Sequence, residues 1–154
     1  MFALRFGLAF LLLEAFVYLV LWHPSWFTPY AEINARLTAL LLAPFVEGLI
    51  AQGAYLASPE FTMLVRPGCD GYQACAVVLA GVWAFPAPRS RKWIGAVVGV
   101  AAMLALNPLR LAALLWTGIH HRAQFELMHI QVLPGLFVGA ALFLLLGWAV
   151  WARS

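Results

Sequence analysis

Four apolar segments dominate this chain, and each reaches or approaches the length of about 20 residues that a helix needs to cross a lipid bilayer. They run from Phe6 to Trp22, from Tyr72 to Phe85, from Trp93 to Ile119 and from Ile130 to Trp151. Only 10% of the 154 residues are charged, whereas about a quarter are charged in a soluble domain. Because only helices and closed barrels satisfy their backbone groups in lipid, the sequence predicts an all-α integral membrane protein with about four transmembrane helices, folded as a single domain over residues 1–154.

The first segment is interrupted only by Glu14, and the residues after it, Trp22-His23-Pro24-Ser25-Trp26, contain no small-x-small cleavage site. We therefore interpret it as an uncleaved membrane anchor. Glu14 would lie near the middle of the bilayer, where we favour a protonated, hydrogen-bonded packing residue over a mechanistic role. The second segment is short for a full span, so we expect its outer end to lie slightly below the bilayer surface.

Three positive charges lie in the connection Arg89–Lys92 between the second and third segments. The positive-inside rule places such a short basic loop in the cytoplasm. Four spans then put Arg5 and Arg153 on the same side and the remaining arginines outside, namely Arg36, Arg66, Arg110 and Arg122. The sequence therefore predicts a multi-pass protein of the cytoplasmic membrane, with residues 23–70 inserted on its outer side.

This outer insertion contains a second candidate for membrane contact. Residues 37–51 are apolar but include Pro44 and Glu47, and a fifth span would turn a basic end outward. We therefore predict an amphipathic helix over 37–51 that lies on or dips into the outer surface. The segments Ala54–Ala57 and Phe61–Val65 flank Ser58-Pro59-Glu60, which is typical of a small β-hairpin.

Cys69, Arg110 and His129 belong to three different segments, and length counting puts all three near the outer face of the membrane. Cys69 begins the second segment and His129 precedes the fourth. A helix from Lys92 to Arg110 rises about 27 Å, close to the thickness of the hydrocarbon. Asn107 would share a helix face with Arg110 as a supporting residue. A nucleophile, a fixed positive charge and a proton carrier can together cleave an acyl bond, so these residues are candidates for a catalytic site.

Each of the three residues also has a simpler interpretation. A lone cysteine in a membrane protein is usually a small packing residue, an arginine near a helix end usually reaches the headgroups, and a histidine beside a membrane helix is often interfacial. Three further histidines compete for the role, namely His23, His120 and His121. Cys69 and Cys75 would be too far apart on one helix for a disulfide, although an irregular turn before the helix would permit one.

Two other classes of protein remain open at this point. Glu126-x-x-His129 with the nearby His120 and His121 is compatible with a metal-dependent membrane enzyme, but di-iron bundles use two such Glu-x-x-His elements and this sequence has one. A non-enzymatic scaffold or transporter subunit would use Arg110 as a structural charge. The lysines and arginines form no basic stripe, so we expect no nucleic-acid partner. We predict no metal and no other cofactor.

Four motifs together resemble the exosortase/archaeosortase family. They are Gly68-Cys69-Asp70-Gly71 before a membrane helix, Phe85-Pro86-Ala87 with a basic loop after it, Asn107-Pro108-Leu109-Arg110, and His129 before the last helix. The resemblance covers about residues 54–151, and the chain is similar to a compact form such as exosortase H. It implies a membrane-embedded cysteine enzyme that processes the C-terminal sorting signals of exported proteins.

By this resemblance Cys69 corresponds to the nucleophile, Arg110 to the essential arginine and His129 to the histidine of the family. The thiolate would attack a peptide carbonyl, and the resulting thioester would pass to water or to a surface nucleophile. The implied partners are the lipid bilayer and exported proteins whose C-terminal signal includes a hydrophobic helix. Asp70 and Gln73 depart from the family pattern, and we expect this to affect which signal is recognised rather than the chemistry.

Overall fold

The computed structural model describes residues 1–21, 23–69 and 71–154 of the chain. Trp22, at the predicted end of the first segment, and Asp70, in the cysteine motif, lie outside the described residues. The helices are α1 (Phe2–Phe16, continued by a π-helical turn Val17–Leu21), α2 (Pro24–Leu42), α3 (Tyr72–Ala84), α4 (Arg89–His120), the single turn α5 (Phe125–Leu127) and α6 (Leu133–Trp151). Three short strands lie between α2 and α3, namely β1 (Ile50–Gln52), β2 (Tyr55–Ala57) and β3 (Thr62–Leu64).

Three helical segments among the described residues are long and apolar enough to cross a membrane: Phe2–Val20, Arg89–His120 and Arg122–Trp151. Helix α3 coincides with the second predicted segment but has 13 residues. Such a helix is about 20 Å long, which is shorter than the hydrocarbon layer of about 30 Å. The mainly helical membrane fold is confirmed, while the count of four spans stays a prediction.

Helix α4 is the element on which α3 and α6 pack. Its buried face recurs at every fourth residue, at Gly95, Gly99, Met103, Asn107 and Leu111. The space beside Gly95 is filled by Trp148 of α6, and the space beside Gly99 is filled by Val78 of α3. Small residues let membrane helices approach closely, so these two glycines bring α3 and α6 against the N-terminal half of α4.

Helix α2 packs on α4 through one face. Its buried residues follow helical spacing, namely Ala31, Asn34, Ala35, Thr38 and Leu42. Its opposite face is apolar but exposed, with Ile33, Leu37 and Leu40 at 56%, 45% and 71% exposure. The helix is therefore amphipathic in an unusual sense, with two polar side chains on its buried face and apolar ones outside.

The predicted helix over 37–51 is wrong in both bounds. The helix begins earlier, at Pro24, a position that suits proline because the first turn needs no backbone N–H bond. It ends at Leu42, and Pro44 follows its C-cap at once, where proline prevents the helix from continuing. Turns then lead through Gly48, at a φ of 67°, into strand β1.

The predicted hairpin is confirmed as β2 and β3, and β1 extends it to a three-stranded antiparallel sheet. The backbone N–H of Ser58 donates to the carbonyl oxygen of Phe61 at 2.9 Å and closes the β2–β3 turn. Leu56, Met63 and Val65 share the buried face of the sheet, which packs in one cluster with apolar residues of α2 and α4. The sheet therefore lies against the C-terminal half of α4, and its last strand leads directly to Cys69.

The basic segment Arg89–Lys92 forms the first turn of α4. The prediction that this segment is a loop is therefore wrong. The residues before it, Pro86-Ala87-Pro88, make the actual connection from α3. Lys92 Nζ donates to the carbonyl oxygen of Trp83 at 2.7 Å, and Arg91 donates to that of Trp151 at 3.3 Å. Cations and tryptophans together are typical of a membrane–water interface, so this end of the bundle has the composition of a membrane boundary.

Candidate active site

Cys69 lies in a tight turn between β3 and α3, with glycines at positions 68 and 71. Its backbone N–H donates to the carbonyl oxygen of Arg66 at 2.9 Å. Gly68 and Gly71 have φ angles of 92° and 71°, in the left-handed region that residues with a Cβ adopt only at a cost. Gly71 is the N-cap of α3. The turn thus joins a strand to a helix, and it leaves Cys69 only 7% exposed.

The imidazole of His129 lies against this thiol, with 3.2 Å between Nε2 and the Sγ of Cys69. His129 belongs to the π-helical turn Met128–Val132, which leads into α6. Single π-helical turns within helices occur frequently at functional sites. The ring of Phe125 lies 5.7 Å from the imidazole, tilted by 45°. At 3.2 Å a thiol and an imidazole are close enough for one to pass a proton to the other.

Arg110 and His129 line the same cavity, which has a volume of about 100 Å³. Gly68 and Gly71, the glycines around the cysteine, also line it, together with Gln73. The guanidinium carbon of Arg110 is 5.4 Å from the centre of the Phe137 ring on α6. The structure therefore brings all three predicted site residues to one place, the thiol and imidazole in contact and the guanidinium at the adjoining cavity.

Asn107 lies beneath the turn and is fully buried, with 0% exposure. Its Nδ2 donates to the carbonyl oxygen of Cys69 at 3.2 Å and to Oδ1 of Asn34 on α2 at 2.9 Å. Sequence reasoning named Asn107 as a supporting residue but missed Asn34. A signal was present, because Asn34 and Thr38 stand one turn apart on the face that Ala31 and Ala35 make small and apolar.

Comparison with models of protein families matches residues 1–148 to the family described as transmembrane exosortase (EpsH). The match spans nearly the whole chain. The chain belongs to the transmembrane exosortase family. Comparison with curated proteins and with solved structures finds no match. Family membership confirms the resemblance that the sequence motifs indicated, whereas the compact exosortase H type stays a prediction.

In this member of the exosortase family, the three competing histidines lie elsewhere. The ring of His23 caps the start of α2 by accepting from the backbone N–H of Ser25 at 3.5 Å. His120 lies against Trp116, with 4.1 Å between the ring centres. His121 is exposed at the end of α4. Among the described residues, His129 is the histidine that contacts the thiol.

The exosortase chain has a second cysteine that forms no disulfide, Cys75, which lies in the first turn of α3 and is 4% exposed. It packs with Val78 and Met103 in a cluster separate from that of Cys69. Cys75 is therefore a buried cysteine of α3 that does not line the cavity of Arg110 and His129. Within the three described ranges, no group of three or more histidine, cysteine, aspartate or glutamate side chains converges as a metal site would require.

Proposed function

We propose that this exosortase is a cysteine peptidase or transpeptidase that cleaves C-terminal sorting signals from exported proteins. Membership of the exosortase family supports the class of substrate. The observation that carries the chemistry is the distance of 3.2 Å between Cys69 Sγ and His129 Nε2. A thiol with an adjacent base is the arrangement that activates a cysteine for covalent catalysis.

The proposed reaction has two halves. In the first, His129 takes the proton of Cys69, the sulfur attacks the carbonyl carbon of the peptide bond, and the C–N bond breaks as His129 returns the proton to the departing amine. This leaves a thioester on Cys69. In the second, water or the amine of a surface acceptor attacks the thioester carbonyl, and its proton passes through His129 back to the thiolate of Cys69. In each half His129 accepts one proton and gives one proton up, and the two halves together restore the thiol of Cys69.

Arg110 is proposed to stabilise the negative charge on the carbonyl oxygen in both tetrahedral states. Arg110 lines the cavity that His129 also lines, and preorganised donors act strongly where water is scarce. A planar guanidinium presents five N–H donors and keeps its charge.

The site is proposed to face the outside of the cytoplasmic membrane, because the basic turn Arg89–Lys92 is at the opposite end of α4 and the positive-inside rule assigns that end to the cytoplasm. The partners would be exported proteins held in the bilayer by a hydrophobic C-terminal helix. Their scissile bond would reach Cys69 at the outer boundary. The acceptor would be water or a nucleophile of the cell surface.

The test compares Cys69→Ala with Cys75→Ala in the native host. The C-termini of membrane and secreted proteins would be determined by mass spectrometry. We expect Cys69→Ala to retain hydrophobic C-terminal helices that the parent removes, whereas Cys75→Ala, a change at an equally buried cysteine, should process normally. Cys69→Ser distinguishes a scaffold, because a scaffold would tolerate the oxygen and a cysteine peptidase would not. Normal processing by Cys69→Ala would refute the assignment of the nucleophile.

A further inference from the structure

Asn34 of α2 is connected to the candidate nucleophile through a continuous chain of buried hydrogen bonds. Its Nδ2 donates to the carbonyl oxygen of Tyr30, one turn earlier in α2, at 3.0 Å. Its Oδ1 accepts from Nδ2 of Asn107 at 2.9 Å. Asn107 Nδ2 in turn donates to the carbonyl oxygen of Cys69 at 3.2 Å. Asn34 and Asn107 are 4% and 0% exposed, so water does not compete for these bonds.

The chain has a direction, because each amide can donate from nitrogen only and accept at oxygen only. The Tyr30 carbonyl requires the nitrogen of Asn34, which turns Oδ1 of Asn34 toward Asn107. That oxygen requires the nitrogen of Asn107, whose second N–H then meets the carbonyl of Cys69. If the Asn107 amide were reversed, its oxygen would face two other oxygens. Asn34 therefore determines which end of Asn107 faces the cysteine.

The orientation of Asn107 has a cost that supports this interpretation. Its Oδ1 is buried, and within the described part of the chain it has no hydrogen-bond partner. It lies 3.0 Å from where a Cβ of Gly71 would be. Buried oxygens are nearly always bonded, and each exception calls for an explanation. Here Nδ2 keeps both of its hydrogen bonds while Oδ1 has none. This indicates that the bond to the Cys69 carbonyl contributes more than a bond to Oδ1 would.

We propose that Asn34 is a positioning residue for Cys69, acting through Asn107. The carbonyl carbon of Cys69 is bonded to the same Cα as its side chain, so holding that carbonyl restrains the backbone from which the side chain extends, and it keeps Cβ at a place from which Sγ can reach His129. Asn34 would thereby keep Sγ at the side of His129. The proposal rests on the function proposed above and extends it, because it makes α2, a helix outside the catalytic triad, part of the apparatus that aligns the nucleophile.

The test measures the rate of Cys69 alkylation by N-ethylmaleimide at neutral pH in purified protein that carries Cys75→Ser. The thiolate is the reactive form, so loss of the contact with His129 should slow the reaction. We expect Asn34→Leu to slow it about five- to tenfold, in the range typical of residues that share one network. Asn34→Ala removes the same acceptor without the bulk of leucine, and it should lower the alkylation rate by the same factor.

Two further variants separate positioning from simple stabilisation. Thr38→Val is the matched control, because Thr38 is 0% exposed on the same helix and bonds to the carbonyl oxygens of Asn34 and Pro108 at 2.7 and 3.4 Å. It should lower thermal stability about as much as Asn34→Leu while leaving the alkylation rate within about twofold. Asn34→Asp should retain most of the rate, because a protonated carboxyl can donate to Tyr30 and accept from Asn107.

A double variant tests the route of the effect. If Asn34 acts by holding Sγ beside the imidazole, Asn34→Leu should cause no further slowing in a protein that already carries His129→Gln. The proposal would be overturned if Asn34→Leu slowed alkylation in the His129→Gln protein by the same factor as in the parent. It would also be overturned if Thr38→Val slowed alkylation as much as Asn34→Leu does. Because alkylation needs no sorting signal, these outcomes are independent of processing in the host. A failure of the proposed function would appear only as normal processing by Cys69→Ala.

Discussion

Gly71 is the position at which the smallest side chain should disturb the candidate site most. Its φ is 71°, and a Cβ there would lie 3.0 Å from Oδ1 of Asn107 and 3.0 Å from the ring of Phe137. Gly68 offers a matched comparison, because its φ is also positive, at 92°, while a Cβ there would meet nothing within 4 Å. Alanine would strain the backbone at both positions, but it would meet buried side chains only at position 71.

The difference between the two substitutions should therefore equal the cost of the contacts. A residue with a Cβ in the left-handed conformation costs about 1–2 kcal/mol, and both variants share this term. Forcing an extra carbon into a packed site costs about 1–3 kcal/mol more. Asn107 is fully buried and bonded to Cys69, so it has little freedom to move away. We expect Gly71→Ala to lower the free energy of unfolding by about 2–5 kcal/mol and Gly68→Ala by about 1–2 kcal/mol.

Thermal unfolding in detergent compares the two variants directly, and alkylation of Cys69 in a Cys75→Ser background reports on the site. Gly71→Ala should unfold at the lower temperature and should change the alkylation rate more. The same substitution should cost less in an Asn107→Ala background, because one of the two crowded neighbours is then gone. Equal losses for Gly71→Ala and Gly68→Ala, or an undiminished loss in that background, would refute the reasoning.

A small, membrane-impermeant methanethiosulfonate added to intact cells should label Cys69; labelling only after the membrane is opened would contradict the proposed orientation. Arg110→Lys should lose most processing in the C-terminal mass-spectrometric assay, because lysine keeps the charge but lacks the planar fork of donors, and near-parental processing would mean that charge alone suffices. Gly95→Ala should destabilise the protein by about 1–3 kcal/mol through contact with Trp148. Gly147→Ala, where a Cβ meets nothing within 4 Å, should be neutral or stabilising in thermal unfolding, and similar losses for both glycines would argue against the close packing of α4 and α6.

The long helices and the hairpin could be predicted because their signals are local. An uninterrupted apolar run specifies a membrane helix whatever surrounds it, and α4 continues through Pro108 to His120. The β2–β3 hairpin is specified by its turn residues between two apolar runs. The proximity of Cys69 and His129 followed from membrane depth alone. Residues predicted at the same depth lie in the same plane of the bundle. Because the bundle is small, Cys69 and His129 cannot be far apart within that plane.

Helix α2 and the role of Asn34 could not be predicted in the same way. The apolar residues of this helix face outward, at Ile33, Leu37 and Leu40, whereas its buried face carries Asn34 and Thr38. If this helix were treated as one of a soluble protein, its hydrophobicity pattern would predict that the apolar face is buried and the polar face exposed, which is the reverse of what the structure has. Asn34 is buried because Asn107 of α4 offers it a partner, and a pairing between residues so distant in the sequence leaves no local signal. Strand β1 was missed for a related reason, since it is held by pairing with β2.

The levels of the cysteine and the arginine depend on how α3 and α4 are joined. Helix α3 rises about 18 Å from Tyr72 to Ala84, whereas α4 rises about 27 Å from Arg89 to Asn107. The amide of Asn107 nevertheless bonds to the carbonyl of Cys69, just before α3 begins. The connection over residues 85–88 must therefore make up about 9 Å along the bundle axis.

This connection is suited to that distance. Phe85 and Pro88 have ψ angles of 138° and 146°, and four fully extended residues would span about 13 Å. The excess is taken up by a tight turn in which the N–H of Ala87 donates to the carbonyl oxygen of Phe85 at 3.0 Å. Helix α4 consequently begins beyond the end of α3, toward the basic side of the bundle. A 13-residue α3 is then long enough to bring the thiol level with Asn107, one helical turn from Arg110.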